Sequence, residues 1–349
     1  MISENRVLKV AVVGASGYGG GELLRLLLAH PSVELCCAVS QTYANKPLYE
    51  AWPGLAHVTP MTFSQELGDT AYDIVFLAQE NGKAMHSATG LLARGCKIVD
   101  LSADFRFHDT SLYAEWYSTH AAPDLAAEAV YGLPELFASE IRGARLVGNP
   151  GCYPTASILG LAPLVKRGVV DTASIIIDAK SGVSGAGRAK FGLDYHYPEV
   201  EGSVSAYKIA GTHRHTPEIE SILSKFASNN VTLTFTPHLM PMTRGILATC
   251  YAKLNGSLSN AELVEMYLQD YVDTPFVVVC EDRLPATKHV LGTNACHIGL
   301  RVDERAGRVT VISVIDNLNK GAAGQAIQNM NLMTGLCETA GLLGGGIWP

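Results

Sequence analysis

The chain has 349 residues, of which 48% are hydrophobic and 17% are charged, and its formal net charge at pH 7 is -7. This length favours two domains, because single hydrophobic cores seldom grow beyond about 250–300 residues. The acidic balance excludes an overall positive field that would attract nucleic acid or anionic lipid, and no apolar run approaches the ~20 residues of a membrane helix. We therefore expect a cytoplasmic protein with a small-molecule partner, and no nucleic-acid or membrane partner.

The first 150 residues alternate short apolar strands with segments of helical length. An apolar run at 7–13 leads into a glycine cluster and then into a leucine stripe that ends before Pro31. Further strands are predicted within VELCCAVS, YDIVFLAQ, KIVDLSA and RLVGNPG. Apolar strands that alternate with helices are typical of a parallel sheet covered on both faces. The sequence therefore predicts an α/β protein whose residues 1–150 form a Rossmann-like domain.

The glycine-rich stretch GASGYGGG, residues 14–21, follows the first strand and opens a helix. Glycines let the backbone approach a pyrophosphate, whose charge is stabilised by the N–H groups at a helix N-terminus. Ser40 and Gln41 stand near the end of the second strand, where an NAD site usually carries an acidic residue. A 2′-phosphate is tolerated there, so NADP is the predicted cofactor. The alternative is a tight turn that binds no ligand.

Longer strands begin at ASIIIDAKSG, residues 173–182, and only two amphipathic helices, near 217–227 and 260–271, separate them. Consecutive strands with few helices are typical of an α+β domain with a mostly antiparallel sheet. We assign this domain to residues 151–317. Residues 318–349 are predicted to form a C-terminal helix that packs back on the first domain, because apolar residues recur there at helical spacing.

Cys152 lies between GNPG and Pro154, in the first turn of a predicted helix. Partial positive charge at a helix N-terminus lowers the pKa of a thiol and increases the fraction of thiolate, the form that attacks a carbonyl carbon. The alternative is a buried thiol without chemistry, which is our interpretation of the other seven cysteines. No C-x-x-C pair or metal-ligand spacing occurs among the cysteines, so neither a disulfide nor a metal site is predicted.

His213 and His215 stand two apart in AGTHRHTPEIE, and in extended backbone their side chains would share one face. Imidazole has an ordinary pKa of about 6.5, so either ring can exchange a proton with a substrate oxygen near neutral pH. A polar surface loop and a metal site are the alternatives for this pair. No third ligand stands at metal-ligand spacing, which disfavours a metal.

Three arginines occupy predicted turns: Arg106 in DLSADFRF, Arg188 in KSGVSGAGRAK and Arg244 in PHLMPMTRGI. Guanidinium groups pair bidentately with phosphate and carboxylate, so a substrate that carries both groups would use several arginines. The small residues of SGVSGAGR also offer backbone N–H groups that can form an anion-binding nest. A structural salt bridge is the alternative role for each arginine.

Eight motifs occur in a fixed order along nearly the whole chain: GASGYGGGEL, DLSADFR, YGLPEL, GNPGCYPT, KSGVSGAGR, SAYKIAGTHRHTPEIE, HLMPMTRGI and DNLNKGAAGQAIQNMN. Together they resemble the N-acetyl-gamma-glutamyl-phosphate reductases, which are related in fold to aspartate-semialdehyde dehydrogenases. The resemblance implies NADPH-dependent reduction of an acyl phosphate to N-acetyl-glutamate 5-semialdehyde in arginine biosynthesis, with release of inorganic phosphate. It also implies a homo-tetramer or a homo-dimer. The alternatives are a reductase of aspartyl phosphate or of a carrier-linked substrate, and a non-catalytic NADP-sensing module.

The resemblance further implies a role for individual residues. Cys152 would attack the γ-carbonyl and form a thioester, and His213 or His215 would be the general acid/base, with His213 preferred. Residues 151–317 would carry both catalysis and oligomerisation. Substrate would be bound by Arg106, Asn149, Arg188 and Arg244. The cofactor would be bound by Gly14, Ser16, Gly17, Tyr18, Gly19, Ser40, Ser181, Gly182 and Asn317.

Overall fold

The computed structural model describes residues 7–189 and 192–347. These residues divide into two compact units. The first unit contains residues 7–150, 187–189 and 322–344, and the second contains residues 151–186, 192–321 and 345–347. Within the described ranges, no helix has both the length and the apolar character needed to cross a bilayer.

The first unit contains a six-stranded sheet whose neighbouring strands all run parallel. Its strands are β1 (Leu8–Val13), β2 (Val33–Val39), β3 (Ile74–Leu77), β4 (Lys97–Asp100), β5 (Val130–Tyr131) and β6 (Leu146–Gly148). The helices in this part of the chain are α1 (Tyr18–Leu27), α2 (Leu48–Ala51), α3 (Ala84–Ala93), α4 (Thr110–Trp116), α5 (Pro123–Glu128) and α6 (Pro134–Gly143). The predicted Rossmann-like sheet is confirmed, although the short strand β5 was not predicted.

The order of the strands shows where a ligand can bind at the edge of this sheet. The order is β2-β1-β3-β4-β6-β5, so β1 has β2 on one side and β3 on the other. The chain therefore leaves β1 in one direction and later returns to its other side. In open parallel sheets, ligands bind beyond the carboxyl ends of the strands at such a switch point. The glycine-rich turn after β1 lies at this position.

The second unit contains a seven-stranded sheet in the order β11-β12-β13-β10-β7-β9-β8. Its strands are β7 (Ile176–Gly182), β8 (Ser205–Ala206), β9 (Thr234–Met240), β10 (Ile246–Lys253), β11 (Val277–Cys280), β12 (Cys296–Asp303) and β13 (Arg308–Ile315). Its helices are α7 (Cys152–Lys166), α8 (Tyr197–Val200), α9 (Thr216–Ser224) and α10 (Asn260–Asp270). Only the β11–β12 and β7–β9 pairs are parallel, which confirms the predicted mostly antiparallel sheet.

Helix α7 lies against one face of this sheet and contacts β10 and β13. Its residues from Tyr153 to Val165 are buried, because the helix is apolar on every side. On β10, alternate residues such as Ala248 and Cys250 are buried beneath α7, while Thr249 and Tyr251 on the other face are half-exposed. The outer face of the sheet is thus less covered than the inner face.

The C-terminal part of the chain is less helical than its sequence predicts. Residues Asn319–Ala323 form a π-helical turn, and helix α11 spans only Gly324–Thr334. Gly335 has φ +73°, a left-handed conformation that ends the helix. Residues 336–347 contain turns and no helix, so the expected helix over 318–349 was too long; residues 348–349 lie outside the described residues. Within the first unit, α11 contacts α1, α6 and β4.

Candidate active site

Two glycines of the first unit allow close backbone packing around the turn after β1. Gly14 has φ +86°, and a Cβ built on it would lie 2.2 Å from the carbonyl oxygen of Ala78. A Cβ built on Gly20 would lie 2.3 Å from the carbonyl oxygen of Gly14. By contrast, Cβ atoms built on Gly17 and Gly19 would have nearest neighbours at 3.6 and 3.8 Å. Gly14 and Gly20 are therefore required by the fold, whereas Gly17 and Gly19 leave space beside the turn.

The N-terminus of α1 opens beside this turn. Helix α1 begins at Tyr18, and its N-cap residue Gly17 has no side chain to cap the first N–H groups. Uncapped N–H groups at a helix N-terminus favour an anion such as a pyrophosphate. A cavity of about 400 Å³ lies at the carboxyl ends of β1, β2 and β3, a volume within the usual range for small-molecule sites. Its lining includes Val13, Val39, Gln41, Leu77 and Gln79. The lining also includes Glu66 and Arg94 and contains no residue of the glycine-rich turn. The helix N-terminus therefore fits a pyrophosphate, and the cavity is a separate space at the same end of the sheet.

Ser16 and Ser40, two of the predicted cofactor-binding residues, are in direct contact. Their Oγ atoms are 2.8 Å apart, and the backbone N–H of Tyr43 donates to Ser40 Oγ at 3.2 Å. Arg188 belongs to the same unit: it donates from Nη1 to the carbonyl oxygen of Ser16 at 3.2 Å and from Nη2 to the hydroxyl oxygen of Tyr43 at 3.3 Å. Its guanidinium carbon lies 4.7 Å from the ring centroid of Trp52. The structure thus places Arg188 beside the glycine-rich turn.

Arg106 and Asn149, both predicted to bind substrate, connect loops of the first unit. Arg106 donates from Nε to the carbonyl oxygen of Asn149 at 2.8 Å and from Nη2 to that of Leu101 at 2.9 Å. The side chain of Asn149 donates to the carbonyl oxygen of Ala322 at 3.1 Å and accepts from Asn329 Nδ2 at 3.0 Å. Both side chains therefore hold main chain in place.

Asp100 is a buried carboxyl group at the end of β4 whose environment the sequence reasoning missed. Burial, together with the nearby charge of Asp104, raises the pKa of Asp100 to about 7. The backbone N–H and the hydroxyl of Ser102 donate to its two oxygens at 2.9 and 2.7 Å. The motif DLSADFR contains both aspartates, but their complete burial depends on packing that the motif alone does not reveal.

Cys152 is the first residue of α7 in the second unit, and Gly151 is the N-cap. A Cβ built on Gly151 would lie 2.5 Å from Nε2 of His215, so the imidazole rests directly against the residue that precedes the cysteine. A Cβ built on Gly321 would lie 2.8 Å from Cβ of Cys152. Two glycines therefore allow His215 and the main chain at 321 to approach the half-buried cysteine closely.

The two histidines occupy a turn before α9, and the expectation of extended backbone there was wrong. The turn arises because His215 adopts a helical conformation ahead of Pro217, the second residue of α9. The imidazole rings nevertheless lie 4.9 Å apart between centroids. Their side chains are brought together by the turn and not by alternation along a strand.

His213 differs from His215 in burial and in hydrogen bonding. It is 8% exposed and packs against the rings of Tyr153, Tyr207 and Phe235. Its Nδ1 accepts the backbone N–H of His215 at 3.1 Å. Burial, with a smaller contribution from His215, lowers the pKa of His213 to about 2. The burial of His213 therefore favours its neutral form near neutral pH.

Glu218 is a further charged residue of this site. It is 1% exposed, stands in the first turn of α9, and accepts the backbone N–H of Gly151 at Oε1 over 2.9 Å. This contact joins the N-terminus of α9 to the N-cap of α7. The sequence motif THRHTPEIE contains Glu218, but only the packing of α9 on α7 reveals its partner.

Ser181, Gly182 and Asn317 lie where β7 and β13 end in the second unit. Asn317 accepts the backbone N–H of Gly245 at Oδ1 over 2.7 Å and donates from Nδ2 to Ser184 Oγ at 3.0 Å. Ser181 Oγ donates to the carbonyl oxygen of Gly182 at 3.0 Å. The side chain of Asn317 therefore ties together the segments that follow β7 and precede β10.

Arg244 precedes β10 and faces a buried carboxylate. Its Nη1 lies 3.5 Å from Oδ2 of Asp316, which is fully buried. Asp316 also accepts the backbone N–H groups of Gly292 and Leu318, each at 2.8 Å. The side chain of Arg244 is 25% exposed, so Asp316 orients it without burying it completely.

Metal ligands do not cluster in the part of the chain that the structure describes: no group of three or more His, Cys, Asp or Glu side chains is placed to hold an ion.

Comparison of the sequence with known proteins shows which family the chain belongs to. A protein of Symbiobacterium thermophilum named N-acetyl-gamma-glutamyl-phosphate reductase is 53% identical over 348 residues, which cover 98% of this chain and 99% of the relative. The reductase of the same name from Geobacter metallireducens is 50% identical over 98% of this chain and 100% of the relative. The chain belongs to the N-acetyl-gamma-glutamyl-phosphate reductase family.

The domain matches agree with this membership in the N-acetyl-gamma-glutamyl-phosphate reductases. A family model described as "Semialdehyde dehydrogenase, NAD binding domain" matches residues 9–144. A second, described as "Semialdehyde dehydrogenase, dimerisation domain", matches residues 152–317. The aspartate semialdehyde dehydrogenase II of Vibrio cholerae, complexed with ASA, has a TM-score of 0.71 at 16% identity and covers 95% of this chain and 99% of its own. The aspartate semialdehyde dehydrogenase of Candida albicans with NADP has a TM-score of 0.67 at 15% identity, and the match covers 94% of this chain and 98% of that one. These structures share the fold.

Proposed function

We propose that this chain catalyses the NADPH-dependent reduction of N-acetyl-gamma-glutamyl phosphate to N-acetyl-glutamate 5-semialdehyde, a step of arginine biosynthesis that releases inorganic phosphate. The observation that carries the chemistry is the position of Cys152 at the N-terminus of α7, with the imidazole of His215 against the preceding residue. The choice of substrate is supported by the names of relatives that are half identical over the full length. The proposed setting is the cytoplasm.

Cys152 acts as the nucleophile. The positive end of α7 favours its thiolate, which attacks the acyl carbonyl carbon of the substrate. Phosphate leaves with the electron pair of the carbon–oxygen bond, and the acyl group remains on sulfur as a thioester. When bound, NADPH supplies the hydride that reduces this thioester. Breakage of the carbon–sulfur bond then yields the aldehyde and restores the thiolate.

We assign the general acid/base to His215 and not to His213, which the sequence analysis preferred. Its Nε2 lies against Gly151, one residue before the nucleophile, whereas His213 is buried among aromatic rings. His213 has a pKa of about 2, so it cannot donate a proton near neutral pH. We assign to His213 the positioning of His215, through the hydrogen bond that it accepts from the His215 backbone.

The charged residues of the second unit support recognition of an acidic substrate. Arg244 is oriented by the buried Asp316 and its side chain is 25% exposed, and a guanidinium pairs well with a carboxylate, so we assign it to the substrate carboxylate. Glu218 accepts the N–H of Gly151 and thereby positions the backbone next to the nucleophile.

In the first unit, Arg106 and Asn149 donate to main-chain carbonyls, so we propose that they hold the conformation of their loops instead of binding substrate directly.

We also propose that two copies of this chain associate through the outer face of the seven-stranded sheet. Half-exposed residues of that face include Leu247, Thr249 and Tyr251 on β10, and Ile176 on β7 is 39% exposed. Burial of such apolar surface favours association, and the family model that matches residues 152–317 carries dimerisation in its name. Sedimentation of the wild type and of Thr249→Arg tests this: we expect the substitution to shift the oligomer to monomer.

The decisive experiment is the reverse reaction, followed as NADPH absorbance with N-acetyl-glutamate 5-semialdehyde, NADP and inorganic phosphate. We expect phosphate-dependent activity from the wild type and none from Cys152→Ala. Cys337→Ala removes an exposed thiol of the first unit and is the matched control, with expected wild-type activity.

Two results would contradict the proposal in different ways. Activity in Cys152→Ala would exclude the thioester route. A wild type that binds NADP but does not oxidise this aldehyde would exclude the substrate, and aspartate semialdehyde would then be the next compound to assay.

A further inference from the structure

Asp104 is a fully buried carboxylate to which the proposed reaction gives no role. It lies in the loop after β4, and none of its surface is exposed. Its Oδ1 accepts the backbone N–H of Gly82 at 2.7 Å and the hydroxyl of Tyr113 at 2.8 Å, and its Oδ2 accepts the backbone N–H of Met85 at 3.1 Å. Burial of a carboxylate costs free energy unless donors such as these satisfy it. Asp104 therefore joins the loop after β4 to α4 and to the segment that leads into α3.

Two of these three hydrogen bonds hold the start of α3. Helix α3 begins at Ala84, and its first turn contains no acidic residue. The first N–H groups of a helix lack partners within the helix, and the helix dipole favours a negative charge beside them. Asp104 supplies that charge from a position 19 residues after Met85, whose N–H it accepts. The N-terminus of α3 is thus capped by the loop that follows the next strand.

The segment that Asp104 holds is the loop after β3, residues 78–83. Gly82 has φ +85° in this loop, a left-handed conformation that residues with a Cβ rarely adopt. The preceding residue provides a second link between the same two loops, because Asn81 Oδ1 accepts the backbone N–H of Ala103 at 2.9 Å. Two consecutive residues of loop 78–83 are therefore fixed by the loop after β4.

Loop 78–83 also contacts the glycine-rich turn. The backbone N–H of Ala78 donates to the carbonyl oxygen of Val13 at 2.8 Å, and a Cβ built on Gly14 would lie 2.2 Å from the carbonyl oxygen of Ala78. Strands β1 and β3 are neighbours at the point where the strand order reverses, and in such sheets the ligand lies between the loops that follow these two strands. Loop 78–83 therefore stands opposite the glycine-rich turn across the crevice where a dinucleotide would bind.

We propose that Asp104 is a positioning residue for the cofactor, which holds loop 78–83 in the conformation that leaves this crevice open. The proposal rests on the proposed cofactor use. Asp104 acts through the backbone of Gly82 and Met85 and makes no contact of its own with the nucleotide. A loop that is already in the binding conformation needs no reordering when the nucleotide arrives, whereas a loop that is only partly in it raises the apparent Kd by the inverse of that fraction.

The test is calorimetric titration of the full-length chain with NADPH and with NADH. Asp104→Asn keeps the size of the side chain but replaces one acceptor oxygen with an NH₂ group, so the N–H of Gly82 or of Met85 loses its acceptor. If this leaves about a tenth of the molecules with the loop in the binding conformation, the Kd rises roughly tenfold, and it does so for both nucleotides. In the aldehyde oxidation, kcat at saturating NADP and the KM for inorganic phosphate should stay near their wild-type values.

Three further variants separate position from stability. Asp109→Asn makes the same chemical change at the exposed N-cap of α4 and is the matched control, with wild-type affinities expected. Tyr113→Phe removes the third hydrogen bond of Asp104 but leaves both contacts with the α3 segment, so we expect a lower Tm and an unchanged Kd. Gly82→Ala strains the loop directly, with no atom closer than 3.9 Å to the new Cβ, and should raise the Kd as Asp104→Asn does. Thermal melting without ligand shows which variants are folded, and Gly82→Ala carries the test if Asp104→Asn is not.

Distinct results would overturn this role of Asp104. An unchanged Kd for NADPH in folded Asp104→Asn would show that the carboxylate only stabilises the fold. An equal rise of the Kd in Tyr113→Phe would assign the effect to general loosening of the buried cluster and not to the loop. Either result would leave the proposed reaction intact, whereas a wild type that binds neither NADPH nor NADH would overturn the proposed cofactor as well.

Discussion

The glycine-rich turn of the first unit and the cysteine site of the second unit are built in different ways. The turn depends on backbone: Gly14 and Gly20 lie within one short motif and allow main chain to approach main chain. The cysteine site depends on side chains from distant segments, since Gly151 and its partner Glu218 are 67 positions apart. The comparison teaches that a backbone site is encoded locally, whereas a side-chain site depends on how whole helices pack.

The largest expected effect is a loss of kcat, and it differs between the two histidines of the cysteine site. We expect His215→Asn to lower kcat by about 10²- to 10⁴-fold, the usual contribution of a general acid/base. His213→Gln should cause a much smaller loss, because the buried ring only accepts the backbone N–H of His215. Steady-state assays of both variants, with circular dichroism as the control for folding, test this order. A larger loss for His213→Gln would return the acid/base role to His213.

The glycine-rich turn allows an equally sharp comparison of two neighbouring residues. Gly20→Ala places a Cβ 2.3 Å from the carbonyl oxygen of Gly14, so we expect destabilisation of roughly 3 kcal/mol or more. Gly19→Ala meets no atom closer than 3.8 Å, and alanine in a helix is favoured over glycine by about 1 kcal/mol. Thermal melting without ligand should therefore show a lower Tm for the first variant and an unchanged or higher Tm for the second. Equal melting temperatures would contradict this account of the turn.

Substitutions of Glu218 test how much the stability around the cysteine site depends on one buried hydrogen-bond acceptor. In Glu218→Ala, the backbone N–H of Gly151 loses its partner, and a buried unsatisfied donor costs about 1–3 kcal/mol. Glu218→Gln keeps an acceptor oxygen, so the loss should be smaller. Urea unfolding of both variants measures the difference, and equal losses would show that the hydrogen bond to Gly151 is not what makes Glu218 important.

A pH dependence with opposite signs in the two units is also expected. His213 has a folded pKa of about 2, below the unfolded value of about 6.5, so the unfolded chain binds the extra proton and stability falls as the pH drops below 6.5. Asp100 has a folded pKa of about 7, above the unfolded value of about 3.9, so stability rises as the pH drops from 7 towards 4. Each slope is at most about 1.4 kcal/mol per pH unit.

Hydrogen exchange at pH 7 and pH 5, corrected for intrinsic rates, measures this effect separately in peptides of β4 and of α7. Between pH 7 and pH 5, protection should rise in β4 and fall in α7. Asp100→Asn should remove the first change and His213→Gln the second. If protection shifts in the same direction in both peptides, these two groups do not control the acid response of their units.

Sequence predicts the fold well because its signals are local. Apolar strands that alternate with helical segments specify the parallel sheet, and the longer strands after Ile176 specify the mixed sheet. The predicted tail helix was too long because the periodic apolar residues end at Leu336 and the backbone turns left-handed at Gly335. The extended backbone expected at His213 was wrong because α9 begins at Thr216, and its N-cap residue His215 already has a helical backbone conformation.

The candidate site is predicted less completely, since its missing parts are long-range. Arg188 was recognised as an anion-binding residue, but its contact with Ser16 spans 172 positions that no local pattern reports. The burial of Asp100 and Glu218 likewise depends on neighbours from other segments. Residue type and motif therefore identify candidates, and packing decides which atoms they meet.

The stacking of Arg188 on Trp52 gives the first unit an optical probe of its own. Indole emission responds to a cation beside the ring, and Trp52 is one of only three tryptophans in the sequence. Any anion that draws the guanidinium away from the ring should change that emission. Nucleotide arrival at the turn can thus be followed in real time in a stopped-flow instrument, without a label and without turnover.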